Sequence, residues 1–590
     1  MTKNNALYIA ALAFSLGWLY YNFQALPAPV DCGDGLMHFF ISQASWEDPA
    51  FFLDHWGKPL FILLSSPFAQ FGFDGMVLFN SLVFSLTIIL GWQILSKLKT
   101  PLPFQLAFAF LLLLTPDYAN TVLGGLTEPL FSLFLIAACV AWLNDKYYSF
   151  AFLVGCMPFL RSEGQLVVVF ALALLLFSKQ WKPVSFVIIP FGIYAVIGLF
   201  AFHDFLWYFT KSPYSMDNSF YGVGSYWHYL KGFKAYLGLH GLAIFLGGFV
   251  VLCFQFFRKQ LGFKIIGLVI LSYGTFLGIL AAHSYFYGSG QNGSMGLTRI
   301  ATQGLPTFLL MNLYFMGKLL STSRKQFAFG TFIFPLLILF LLCTTPYLKK
   351  EESHINRALI TTGNYIKNEP LLKDKTVFAY HPLLAYTLRS NLKMKNQQLQ
   401  QFSGIAFLQD KSSLKFGDAI VWDSQFGPFE IGIPFEKFVA DSNLMLCHQE
   451  TIPGNLEHSG VFLFQYVPAE IKRKNTVRFI EKTILSQKSI STNAEFENLL
   501  EISPSQESFM ISIQCYGVED VHFVCVPKDN SDYQSQNLHD GKMSFVFAAE
   551  AGLPYSIYIW NPTKKDYKLE IDAVTGKRMI LPKLWKNGAE

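Results

Sequence analysis

The sequence predicts an α-helical, polytopic membrane domain followed by soluble α/β and β-sandwich-like regions. Two observations carry that reading. Of the 590 residues only 14% are charged and 52% are hydrophobic, against about 25% charged in an ordinary soluble chain. The deficit is also uneven: long apolar runs fill the chain up to about residue 347, after which Lys, Glu, Asp, Asn and Gln return to normal density. The expected divisions are a membrane domain over 1–347, an α/β domain over 348–470 and a β-rich domain over 471–590. The net charge of +5 is too small and too dispersed to suggest a nucleic-acid surface. Eight cysteines include no C-x-x-C pair and no histidine partners at zinc spacing. Cys515 and Cys525 could bridge neighbouring strands in an oxidising compartment, with unpaired core thiols as the alternative reading.

Taken in order, the first apolar run, 7–21, begins soon after Lys3 and reads as an uncleaved anchor, since no clear small-x-small cleavage pattern follows. Residues 60–71 are apolar but too short to cross, which suits a surface or re-entrant helix. Further spans are expected at 74–96, 103–118, 126–143, 148–160, 164–178, 183–202, 238–257, 264–282, 299–318 and 327–346. That makes about eleven crossings, each near the ~20 residues a bilayer requires except the pair around Arg161.

Charge tests this topology independently. With a cytoplasmic N-terminus, the inner connections hold Lys97 and Lys99, Lys146, Lys179 and Lys182, Arg258 to Lys264, and Lys318 to Lys325. All are basic, as the positive-inside rule expects. The opposite loops, around Asp34 and at 116–127, 161–163, 203–237 and 283–298, are richer in aromatic, glycine and acidic residues. The soluble tail then falls outside as well. Within it, 354–367 has helical spacing and 382–390 reads as a second helix, while 376–380, 419–422, 444–447 and 461–466 read as strands. A polar, Lys-rich connection is expected at 472–488, followed by alternating runs at 509–514, 521–526, 543–548 and 555–560 that suit a β-sandwich.

Chemistry concentrates in the loop after the first apolar run. Asp31, Asp34 and His38 are followed closely by His55 and Lys58, in a protein otherwise sparing with charge. A carboxylate at a membrane surface fits general-base work on an acceptor hydroxyl; Asp31 and Asp34 also suit plain turn and cap roles beside Gly33 and Gly35. Lys58, Arg161, His283 and Arg299 are candidate cations for a departing phosphate. Arg161 and Glu163 sit between two half-length apolar runs, which should place them at depth, where ionisable groups are costly and line cavities or pair with each other. Glu128 opens a span on the same face, where complementing the helix dipole is the simpler explanation. No Walker loop, dinucleotide fingerprint or serine nucleophile elbow is present.

These pieces resemble the GT-C glycosyltransferases, particularly the bacterial branch related to protein O-mannosyltransferases and the lipid A aminoarabinose transferase. The matching residues are the first-loop acid Asp34, then Lys58 and Pro59, Thr127-Glu128-Pro129, Arg161 with Glu163 and Gly164, and the run from Gly293 to Arg299. The resemblance covers the first ~320 residues as an ordered set of motifs. It implies transfer of a sugar from a polyprenyl-phosphate donor to an envelope acceptor (glycan, lipid or protein) on the outer face of the cytoplasmic membrane. The first-loop aspartate would be the base and later-loop cations would hold the phosphate, with His55, Glu128 and Glu163 as further candidate binding residues. Gly35 stands where the family often has a second acid, which keeps Asp31 as a rival base and leaves a divalent metal open. Inversion at the anomeric carbon is expected. The competing readings are a transporter or flippase of lipid-linked glycans, and a membrane scaffold displaying the C-terminal domains. The gathering of candidate groups at span ends on one face favours an enzyme over either.

Overall fold

The structure, a computed structural model, describes residues 3–26, 28–214, 223–292, 294–320, 353–388, 399–401, 406–428, 430–452, 459–503, 509–517, 521–528, 534–537, 542–549 and 554–586. It divides into two compact units, Met1–Glu351 and Glu352–Glu590.

The first unit is helical. It begins with α1 (Lys3–Gln24), the short α2 (Asp34–Ala44) and α3 (Pro59–Ala69), then α4 (Phe73–Lys97) and α5 (Leu102–Leu113). Next come α6 (Pro116–Leu123), α7 (Glu128–Leu143), α8 (Tyr147–Cys156), α9 (Gly164–Phe177) and α10 (Trp181–Phe202). The single turns α11 (Trp207–Thr210) and α12 (His228–Lys231) lead to α13 (Phe233–Phe257), α14 (Phe263–Val269), α15 (Thr275–Ser289) and α16 (Leu305–Leu320).

Among the described residues five helical stretches are long and apolar enough to cross a membrane: Asn5–Gln24, Phe73–Lys97, Trp181–Phe202, Tyr236–Phe257 and Phe263–Ser289. α5 and α6 form a sixth candidate if their 69° bend lies within one span. The expected spans at 126–143, 148–160 and 164–178 exist as shorter apolar helices, Glu128–Leu143, Tyr147–Phe159 and Gly164–Phe177. The span expected at 327–346 lies outside the described residues, as do Arg324 and Lys325. α10 turns Ile188, Ile193 and Phe200 outward. That apolar exposure suits a helix solvated by lipid rather than by water.

Three local details differ from the periodicity reading. The run 103–118 is not one helix, because Pro116 supplies no amide to continue α5 and instead starts α6 as its first residue. The run 264–282 passes through a π-helical turn at 270–274 and continues to Ser289. The run 299–318 opens as a 3-10 turn over Thr298–Gln303, and α16 starts only at Leu305. Arg299 is thereby freed from a helix face and enters the site described below.

The connections sort into two groups, as alternation requires. Lys97 Nζ donates to Asn144 Oδ1 at 2.6 Å, and Lys264 Nζ donates to Trp142 O at 2.8 Å and pairs with Asp145. Tyr8 and Ser96 meet at the same end. At the other end of α7 the acid loop meets the 124–128 turn and Arg299, and Arg161, Glu163 and, from within α15, His283 join through Glu128.

Among the described residues the second unit contains three sheets. The first follows the helix His354–Asn368 and has strand order β2-β1-β3-β5-β4, from β1 (Val377–Ala379), β2 (Leu399–Gln401), β3 (Ala419–Asp423), β4 (Leu444–Thr451) and β5 (Gly460–Tyr466). β1 is parallel to β2 and β3, while β5 is antiparallel to β3 and β4. Its core is aromatic, with Trp422, Phe435, Phe438, Phe462 and Phe464 packed together.

Two antiparallel four-stranded sheets follow, β10-β9-β12-β7 and β11-β8-β13-β6. Their strands are β6 (Arg478–Thr492), β7 (Phe496–Ile502), β8 (Phe509–Gly517), β9 (His522–Pro527), β10 (Gln534–Asn537), β11 (Lys542–Ala549), β12 (Tyr555–Trp560) and β13 (Tyr567–Ile580). Phe523, Ile557, Ile559, Leu569, Ile571 and Val574 alternate inward to make the core. The polar connection expected at 472–488 is corrected here: most of it is β6, a long strand paired along β13. Its lysines and serines hid a strand that lies at a sheet edge, where polar residues discourage pairing with another chain. Cys525 is a free buried thiol on β9, so it does not bridge to Cys515.

Candidate active site

The acid loop owes its shape to Asp31. Its Oδ1 accepts from the amides of Gly33 at 3.2 Å and Gly35 at 2.9 Å, capping the first turn of α2 in place of the Gly33 N-cap, which has no side chain to offer. Gly35 is required by close approach. A Cβ there would stand 2.0 Å from Gly124 O, so α2 rests directly on the backbone of the 124–128 turn.

Both acids of the loop converge on one arginine. Arg299 Nη1 donates to Asp31 Oδ2 at 2.5 Å, Nη2 donates to Asp34 Oδ2, and Nε lies 3.7 Å from Glu128 Oε1. Glu128, 1% exposed, is bound in turn by Arg161 Nη1 at 2.9 Å. Arg161 also donates to Thr127 Oγ1 at 2.9 Å and to Glu163 Oε1 at 3.2 Å. Glu163 Oε1 further receives Gln303 Nε2 at 2.8 Å and His283 Nε2 at 3.1 Å. The result is an alternating chain of charge, Asp34, Arg299, Glu128, Arg161 and Glu163, with His283 hydrogen-bonded at its end. Alternation is what makes such burial tolerable, because each ion removed from water gains an opposite partner. Arg161 reaches this depth through the tight turn between α8 and α9. A Cβ on Gly164 would lie 2.4 Å from Met157 C, so only glycine lets α9 start there.

Lys58 approaches from the neighbouring loop. It sits at φ 69°, a left-handed conformation unusual for a side chain of its size, with the preceding Gly57 amide held by Asp54 Oδ1 at 2.6 Å. Its Nζ donates to Tyr214 OH at 2.5 Å and to His55 O at 3.3 Å. His55 itself points into an aromatic group. Its ring lies 4.8 Å from that of Tyr208, and its Nε2 is 3.0 Å from Tyr208 O. His55 therefore braces the loop while Lys58 supplies the charge.

Electrostatics separates the two acids. Burial pushes Asp31 up, and the opposing pull of Arg299 only partly offsets burial and the repulsion from Asp34 and Glu128. Burial also acts on Asp34, but Arg299, His38 and Arg161 outweigh it and hold that carboxyl below its ordinary value. Asp34 is also the more open of the two, with 43% of its side chain exposed against 22% for Asp31. Burial and the neighbouring Arg161 push the Lys58 ammonium down to about 8. Glu163 is held well below its usual range, burial being overcome by Arg161 and the His283 hydrogen bond.

The structure thus joins Asp31, Asp34, Glu128, Arg161, Glu163, His283 and Arg299 directly, with Lys58 in electrostatic reach of Asp34, Arg161 and Glu163. Thr127, named from sequence only within its motif, belongs as well, and so do Gln303 and Tyr214, which were not singled out. Gln303 offered a signal, an amide four residues after Arg299 in an otherwise apolar run. Buried polar atoms without a protein partner collect here too: Glu128 Oε2, Arg161 Nε, His283 Nδ1 and Gln303 Oε1. Such atoms demand a water or a ligand. Among the described residues no three His, Cys, Asp or Glu side chains are grouped to hold a metal ion. The four carboxylates are instead engaged by arginines, so the residues present do not fit a divalent metal.

No protein-family model matches the sequence, and no curated protein matches it. Solved structures do resemble it. The crystal structure of ArnT from Cupriavidus metallidurans bound to undecaprenyl phosphate superposes with a TM-score of 0.50 at 9% identity, covering 77% of this chain and 97% of that one. The chain shares the GT-C fold. The apo form of the same ArnT gives a TM-score of 0.49 at 10% identity over 77% of this chain and 97% of that one. The mycobacterial arabinofuranosyltransferase AftD gives 0.42 at 9% identity, over 98% of this chain and 60% of that one.

Proposed function

We propose that the protein is a membrane glycosyltransferase that moves a sugar from a polyprenyl-phosphate donor to a cell-envelope acceptor on the outer face of the cytoplasmic membrane. The observation that carries this is the half-exposed Asp34 carboxylate paired with Arg299, in a fold shared with a protein solved with undecaprenyl phosphate bound. Asp34 accepts the proton of the attacking acceptor hydroxyl. The acceptor oxygen forms the new bond to the anomeric carbon from the face opposite the phosphate, and the anomeric carbon–oxygen bond breaks with its electron pair passing to that phosphate. Arg299 and Lys58 stabilise the charge that develops there, and Arg161, buried behind them, holds Glu128 and Glu163 in place. A guanidinium suits phosphate through paired hydrogen bonds, whereas the ammonium acts as a point charge. Comparing envelope glycans by mass spectrometry in cells with and without the gene tests the reading. Loss of one sugar from an envelope polymer, lipid or protein, restored by the wild-type chain and not by Asp34→Asn, is expected. Unchanged glycans would defeat it.

A further inference from the structure

In this structure each nitrogen of Arg299 faces a carboxylate. Nη1 is on Asp31, Nη2 on Asp34 and Nε faces Glu128. A phosphate gripped through two of these nitrogens competes with the carboxylates for the guanidinium. The three carboxylates differ in how firmly they are held. Asp31 is pinned from behind by the Gly33 and Gly35 amides, and Glu128 is buried and bound to Arg161. Asp34 is the most exposed of them and stands at the first position of α2, with a side chain that can swing outward without disturbing a cap.

We infer that Arg299 is an exchangeable counter-ion: the donor phosphate displaces Asp34 from Nη2, Asp31 keeps its place as the anchor, and Asp34 gains the proton affinity of a base only in the donor complex. The inference rests on the donor reading above and adds an order of events to it. A carboxylate bonded to arginine is a weak proton acceptor, since an opposite charge this close lowers its pKa by about 1–3 units. Exchange for a phosphate removes that cation and brings an anion near, and both changes raise the affinity of Asp34 for a proton. Besides Arg299, Asp34 faces His38 from its own helix, Asp31 from the preceding loop, and Arg161, Lys58 and Tyr214 from other elements, with Glu128 beyond Asp31. Those that remain charged are unchanged by the exchange, so they moderate its size and leave its sign. Donor must therefore bind before the acceptor hydroxyl can be deprotonated. Asp31 acts as a positioning residue, because it holds Arg299 without meeting the acceptor.

The test is calorimetric titration of the purified full-length protein with a long-chain polyprenyl methyl phosphodiester, whose phosphate does not titrate near neutral pH. Running it at about pH 5, a little above an ordinary carboxylate pKa, in buffers of different ionisation enthalpy counts the protons taken up. Wild type should take up a proton on binding. Asp34→Asn should take up none and bind several-fold more tightly, since the competitor for Arg299 is gone. Asp31→Asn should still take up a proton. Wild-type affinity and wild-type uptake in Asp34→Asn would overturn the exchange while leaving the donor reading intact. Loss of uptake with tighter binding in Asp31→Asn instead would overturn the assignment of the anchor. No binding to wild type would overturn the donor reading and the exchange together.

Discussion

At the scale of residues, the two acids of the first loop look interchangeable in sequence and have different work in the structure. Asp31 spends one oxygen on the cap of α2 and the other on Arg299, whereas Asp34 presents an exposed carboxylate. Asp34→Asn should cost ~10²–10⁴ in turnover, as loss of a general base does, with thermal stability nearly unchanged. Asp31→Asn should keep measurable turnover and, because asparagine caps a helix as well as aspartate does, lose stability only through its ion pair with Arg299. Rates and melting curves on the two purified variants check this, and an inactive Asp31→Asn beside an active Asp34→Asn would move the base three residues upstream. Lys58 gives a pH prediction. Its pKa is depressed from the ordinary 10.5 to about 8 by burial and by Arg161, so its charge is present below about 8 and lost above. Donor kcat/KM, which reports the free enzyme, should fall as pH rises through that value. Lys58→Arg keeps its charge at every accessible pH and should flatten this limb; a limb unmoved in that variant would show that another group sets it. The same depression means that the unfolded chain binds more protons than the folded one between about 8 and 10.5, so the contribution of Lys58 to stability rises with pH across that window.

At the scale of elements, the site is a meeting of helix ends, and glycine sets how closely they meet. The Gly35 position lies against Gly124 O, with no room for a methyl group. Gly35→Ala should push α2 off the 124–128 turn and separate Asp31 and Asp34 from Glu128. Turnover should fall at least as steeply as in Asp34→Asn, with lowered thermal stability that Asp34→Asn does not share; wild-type stability would mean that the turn yields easily. Much of this assembly was legible beforehand. The cations and acids of separate loops could be assigned to one face because hydropathy fixes helix ends and charge fixes their order. Partner identity was not legible, because the helix dipole explains Glu128 more simply and Glu163 stands nearer to Arg161 in sequence. Arg299 and Gln303 looked like the start of a span, and only the 3-10 turn at Thr298–Gln303 turns them toward the site. β6 was missed for a related reason: an edge strand carries polar residues on a pattern that resembles a linker.

At the scale of the whole molecule, the remaining question is which side of the membrane the site faces. The contacts divide the connections into one group holding Lys97, Asn144, Asp145 and Lys264 and another holding the acid loop, Arg161, His283 and Arg299. Nothing in the helices alone assigns a compartment to either, so the assignment rests on charge. Basic residues near span ends are retained on the cytoplasmic side, and the first group carries Lys97 and Lys264 while the second sets Arg161 and Arg299 against carboxylates. We therefore expect Lys97, Lys182 and Arg258 to face the cytoplasm, with Asp34 and the region from residue 353 onward outside. Single cysteines placed at exposed positions beside each residue, in a cysteine-free background, would be treated with a membrane-impermeant thiol reagent. Sites near Asp34 and in the tail should label in intact cells, and sites near Lys97, Lys182 and Arg258 only after lysis. The reverse pattern would put the acid loop in the cytoplasm. It would also remove the outer-face acceptor from the proposed reaction, because a hydroxyl beyond the membrane could not reach a base on the inner side.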